Sequence, residues 1–153
     1  MKTPVLLEKS LVDNRALALV DIENLAGTAQ PTAELIREIE SIFYSTAQMN
    51  KISQTYISCN HLAGFYVGTS WERSCKLCFR SGEDGADLAL LEQIDAIPNL
   101  KDFSYVVIGS GDHIFAPLAR KLTSQGHFVH VISGAGGLSH ELRSSASHVS
   151  SLN

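Results

Sequence analysis

Positive charge, cysteine and long apolar runs are all scarce in this chain, and each scarcity closes off a class of protein. Twelve Lys and Arg stand against sixteen Asp and Glu, a formal net charge of −4 over 153 residues. A protein that grips nucleic acid through a broad basic surface is thereby excluded, although a local basic patch is not. Three cysteines cannot all pair with one another and are too few for a disulfide scaffold. No apolar stretch reaches the roughly 18 residues of a membrane span. The run Val5–Leu6–Leu7, broken at once by Glu8, does not read as a signal peptide. An apolar content of 44% is too high for disorder. The expectation is a reduced, cytoplasmic protein without membrane contact. Its residues 1–153 form a single domain, with 1–15 as an N-terminal extension.

Strands and helices alternate along the rest. Ala16 to Val20 is a continuous apolar run closing on Asp21, which fits a strand covered on both faces. Pro31 opens a helix with Leu35, Ile36, Ile39, Ile42 and Phe43 at helical spacing, the proline lying in its first turn. Further strands are expected at Ile52–Ser58, Lys76–Arg80, Tyr105–Ile108, His127–Ile132 and His148–Leu152. Helices are expected at His61–Gly68, Ala86–Ile97, His113–Gln125 and Leu138–Ala146, with a flexible loop over Gly134–Gly137. This is the pattern of a three-layer α/β/α sandwich around a mainly parallel sheet. In such sheets chemistry collects where the strands end at their carboxyl side.

Three acids fall at that end. Asp21 ends the first strand, Asp87 lies in the first turn of a helix, and Asp112 follows the strand ending at Ile108. At about 5 Å and an effective dielectric near 20, each ionised pair repels by roughly 3 kcal/mol. Protonation or a bound cation must relieve that. Oxygen ligands alone favour Mg²⁺ or Mn²⁺. Each acid also has an ordinary role open to it: Asp112 as a helix cap, Asp87 beside a helix dipole, and Asp21 with Asn24 as a turn.

Taken in order, three segments resemble the motifs of NYN domains, members of the PIN-like nuclease superfamily. They are Ala18–Leu19–Val20–Asp21–Ile22–Glu23–Asn24, Gly85–Ala86–Asp87–Leu88, and Val107–Ile108–Gly109–Ser110–Gly111–Asp112. The resemblance extends through Phe115–Leu122 and Leu138–Arg143, and covers roughly residues 16 to 152. It implies a parallel sheet sandwiched by helices and divalent-metal-dependent hydrolysis of RNA. Asp21, Asp87 and Asp112 would hold the metal, and Asn24 would orient the first loop or a phosphate. Ser110 would hydrogen-bond a carboxylate or the substrate. In many relatives the third motif runs Ser-Gly-Asp-x-Asp-Phe, whereas here Ile114 takes the second Asp position. One carboxylate is therefore missing, with Glu23 or Asp84 as possible replacements and His113 as a ligand, a phosphate contact or a solvent-facing residue. The alternative to an enzyme is a nuclease-derived module that binds RNA or a protein partner without cutting.

Other signals are weaker. Cys75-x-x-Cys78 with Cys59 and His61 offers four zinc ligands, a redox pair, or plain buried thiols. Neither Gly109–Gly111 nor Gly134–Gly137 completes a dinucleotide or phosphate-loop motif. Trp71, Arg73, Lys76 and Arg80, joined by Arg143, form a candidate rim for single-stranded RNA in which Trp71 stacks on a base. An ordinary solvated strand edge with a packed tryptophan explains the same residues. Assembly as a homo-oligomer is left open.

Overall fold

Alternation along the first strand sets the architecture. In the computed structural model, which describes residues 15–48, 52–79, 82 and 85–153, β1 (Arg15–Asp21) is buried from Ala16 onward. Its Ala16, Ala18 and Val20 enter one apolar cluster, and Leu17 and Leu19 enter a second on the opposite face. A strand apolar on both faces is stable only between two layers of helices. β1 accordingly sits inside a six-stranded sheet with β2 (Ile52–Cys59), β3 (Lys76–Phe79), β4 (Phe103–Gly109), β5 (Phe128–Ser133) and β6 (His148–Ser151). The order is β3-β2-β1-β4-β5-β6, and every pairing is parallel.

Helices complete the sandwich. The first apolar cluster packs α2 (Ala33–Ala47) and α3 (His61–Ser70) on the sheet through Ile36, Phe43 and Val67. The second packs α4 (Gly85–Asp95), α5 (Ala116–Ser124) and α6 (His140–Ser145) through Leu90, Leu122 and Leu142. The chain winds outward to β3 on one side of β1, then returns to β4 on the other. Its topological switch therefore falls between β1 and β4, where such sheets open a crevice at their carboxyl edge. None of the described helices is long and apolar enough to cross a membrane.

Several boundaries depart from the sequence reading. A five-residue helix α1 (Ile22–Ala26) follows β1 directly, capped by Asp21 and closed by Gly27 at φ 74°. It is too short to show a period. Pro31 lies outside α2, because Thr32 is the cap and its hydroxyl accepts from Leu35 N at 3.1 Å. The helix expected at His113–Gln125 breaks into a 3₁₀ turn, His113–Phe115, and α5, with Pro117 in the first turn of α5. Pro117 has no N–H to donate, so an α-helix starts there more readily than it passes through.

The cysteines are divided by the sheet. Parallel register pairs Ser58 with Cys78 and Cys59 with Phe79, so Cys59 and Cys78 point to opposite faces and join different clusters. Cys75 packs with Cys59's cluster. Neither the four-ligand zinc set nor the Cys75–Cys78 redox pair is therefore assembled, and burial pushes the Cys59 thiol up to about 12.

His130, on β5 and paired with His148 of β6, is buried. One ring nitrogen bonds the Tyr105 hydroxyl at 2.9 Å and the other the Ser150 hydroxyl at 2.8 Å. Burial, then His148 nearby, pulls its pKa from 6.5 down to about 4. Because the unfolded chain takes up that proton first, the contribution is complete above about pH 6.5. It is lost as pH falls toward 4, by about 3 kcal/mol in all. Denaturant unfolding of the wild type and His130→Gln across this range checks it. The gap between the two proteins should narrow as pH drops, and a gap independent of pH would contradict it.

Candidate metal centre

The carboxyl edge of β1 and β4 gathers groups distant in the chain. Val20 pairs with Gly109 across the two strands, which sets Asp21 beside Ser110. Asp21 is 3% exposed. One of its oxygens accepts from Asn24 N at 3.3 Å and the other from the Ser110 hydroxyl at 2.9 Å. Asp87, in the first turn of α4, is also buried, and Asp112 caps the 3₁₀ turn by accepting from Ile114 N at 3.0 Å. The three acids each bring a carboxylate oxygen within 4.8 Å of the others, the one such grouping among the described residues. They line a cleft of about 380 Å³ together with Glu23, Asn60 and Gly136.

Burial alters the chemistry of Asp21. Burial, only partly offset by hydrogen bonds from Ser110 and Asn24 and with Asp87, raises its pKa from 3.8 to about 6, and Glu23 adds to the rise. Removed from water, a carboxylate such as that of Asp21 holds its charge only reluctantly. An all-oxygen set of this kind suits a hard divalent cation, whose charge would make three ionised carboxylates compatible.

Two side chains hold the acids in place. Ser110 is fully buried, and its hydroxyl both donates to Asp21 and accepts from Asp112 N at 3.1 Å. Of the two partners expected for Ser110, a carboxylate or the substrate, the structure shows the carboxylate, and through these two bonds Ser110 positions two acids. The Asn24 amide oxygen accepts from Gly111 N at 2.8 Å, and its backbone carbonyl accepts from Gly136 N at 2.9 Å. Asn24 therefore clamps three loops. Gly134–Gly137, expected to be a flexible loop, is pinned by Ala135 N to Leu25 O at 3.1 Å and by this Asn24 bond. At Gly111 a Cβ would collide with the Gly137 carbonyl.

The other expected site residues are dispersed. His113 is exposed, with Nδ1 3.2 Å from an Asp112 oxygen. Ile114 packs against the second apolar cluster, so no fourth acid comes from that position. Glu23 does line the cleft, its carboxylate held by the Asn60 side chain at 2.8 Å. Sequence reasoning missed Asn60. Its role as cap of α3 was readable, but its bond to Glu23, 37 residues away, was not. Trp71 is 6% exposed and packs on Tyr44, so it offers no stacking face. Arg73 is held by Glu40 at 3.4 Å and lies over the Tyr44 ring. Arg143 is exposed on α6, apart from the cleft lining. Arg80 and Asp84 lie outside the described residues.

Comparison with known proteins supplies a family and a fold. The sequence profile of the NYN domain matches residues 15–153. A crystal structure of a protein of unknown function from Vibrio parahaemolyticus superposes with a TM-score of 0.61 at 17% identity. That match covers 92% of this chain and 94% of the other. No curated protein matches the sequence.

Two substitutions probe the centre. Asp21→Asn removes the raised-pKa charge while keeping a hydrogen-bonding side chain. The metal-free variant should exceed the wild type in stability by roughly 1–3 kcal/mol at pH 7, and the rise in melting temperature expected of the wild type with Mn²⁺ should be absent from the variant. A large loss of metal-free stability would instead make Asp21 a structural residue. Gly111→Ala should cost about 2–4 kcal/mol, because the obstruction is backbone that cannot swing aside. A denaturation midpoint unchanged from wild type would contradict that packing.

Proposed function

Because the chain belongs to the NYN domain family, whose members carry a PIN-like nuclease fold, we propose that it is a divalent-metal-dependent ribonuclease cutting RNA phosphodiester bonds at Asp21, Asp87 and Asp112. The observation that carries this reading is the convergence of these carboxylates to within 4.8 Å at the switch of the sheet. Mg²⁺ or Mn²⁺ bound there would lower the pKa of an attacking water and neutralise charge on the phosphoryl oxygens. Ser110 fixes the direction of the Asp21 carboxylate through its 2.9 Å bond. The capping bond occupies one Asp112 oxygen and leaves the other for the cleft. Gly27, Gly82, Gly85 and Gly136 line the cleft without side chains, which suits close approach of a polymer backbone.

The second reading is a module that binds single-stranded RNA or a protein without cutting, and Ile114 favours it. Its side chain is committed to the apolar cluster where the motif of many relatives supplies an acid.

Incubating labelled single-stranded RNA with Mn²⁺ or Mg²⁺ separates the two. Asparagine caps helices as well as aspartate does, so Asp112→Asn should fold normally and yet lose activity by about 100-fold or more. Equal products from both proteins would reject the assignment. Binding without products from the wild type would support the non-cutting module.

A further inference from the structure

Of the basic rim expected around the cleft, Trp71 is buried and Arg73 is bonded to Glu40, while Arg80 lies outside the described residues. None of the described residues lining the cleft is a Lys or an Arg, on a chain of net charge −4. A different surface lies beside the cleft. Asn60 lines the cleft and caps α3 at once, so α3 begins at the rim. That helix is apolar all round: Ala63 and Val67 bury inward, while Leu62, Phe65 and Tyr66 are 69%, 71% and 49% exposed. Phe79, on the edge strand β3, is 45% exposed and lies across Gly64, where a Cβ would stand 3.0 Å from its ring. The His61 ring sits 5.4 Å from the Phe79 ring, and the Phe65 and Tyr66 rings meet edge to face at 5.6 Å. His61 and Phe65 share one helix face, being four residues apart. Four ring systems and Leu62 therefore continue outward from the acidic cleft.

We infer that the α3–β3 surface of His61, Phe65, Tyr66 and Phe79 is a stacking platform for unpaired nucleobases of a strand whose phosphodiester lies in the Asp21–Asp87–Asp112 cleft. This rests on the nuclease reading and names what the site accepts: single-stranded nucleic acid held by its bases. Size favours this occupant over a second copy of the chain. With aromatic side chains burying about 150–250 Å² each, the exposed parts of Leu62, Phe65, Tyr66 and Phe79 amount to roughly 400–500 Å². A standard protein interface needs about 800 Å² per partner. Composition favours it as well, because aromatic faces take any base without demanding positive charge. A duplex, its bases already stacked, gains nothing here.

Fluorescence anisotropy tests the platform with a labelled single-stranded RNA of about twelve nucleotides, the same strand as DNA, and the RNA duplex, all with EDTA so that nothing is cut. The wild type should bind the single strands and not the duplex. Its salt dependence should be shallow, equivalent to about one or two released counterions. Phe65→Ala and Tyr66→Ala, both at exposed positions, should keep the wild-type melting temperature and lose affinity roughly tenfold or more. Equal affinity for RNA and DNA single strands supports base recognition; preference for RNA adds the 2′-hydroxyl at the cleft. Variants binding as the wild type does would overturn the platform. So would a concentration-dependent dimer abolished by Phe65→Ala, since a second copy would then cover this surface. The cleavage assay keeps the two readings apart. RNA cut by a wild type whose variants bind normally leaves the nuclease without the platform, and loss of binding in a protein that never cuts leaves the platform without the nuclease.

Discussion

The gathering of three carboxylates in one cleft is the constraint around which this structure is arranged. Asp21, Asp87 and Asp112 bring oxygens within 4.8 Å of one another, two of them on buried side chains. Ionised together without a cation, such a set costs an appreciable part of a domain's net stability. The protein tolerates it through a rigid surround. Ser110 bonds Asp21 and the Asp112 backbone, Asn24 ties three loops, and glycine at 111 and 136 lets those loops close without side chains between them. On the proposed function, a site held this firmly is prepared for a counter-charge.

The sheet makes the convergence possible. Parallel strands all present their carboxyl ends at one edge, and the order β3-β2-β1-β4-β5-β6 puts the two acid-bearing loops after β1 and β4 next to each other. α4 then carries Asp87 in from the β3 side. The same topology brings the α3–β3 surface up to the cleft through Asn60, which bonds both Glu23 and the Ala29 carbonyl. Fold, acidic centre and aromatic surface thus follow from one winding of the chain.

Much of this is legible in the sequence because the signals are local. The run Ala16–Val20 and the run Tyr105–Ile108 are apolar on both faces, which only a central parallel strand explains, and both stand where expected. The acids could be placed at strand ends because a strand end is a sequence feature. What escaped was tertiary. Which carboxylate Ser110 bonds is decided only when Asp21, 89 residues away, is set against it. Trp71 sits among basic residues in the chain but turns inward against Tyr44 where α3 ends. The outer face of α3 could not be recognised from periodicity, because a helix apolar all round has no preferred side.

The most direct test of this account is calorimetric titration of Mn²⁺ into the wild type and into Asp87→Asn, whose substitution lies far in sequence from the other two acids. A shared centre predicts saturable binding by the wild type that is lost, or weakened at least about tenfold, in the variant. Unchanged affinity in Asp87→Asn would mean that the three carboxylates do not act as one site.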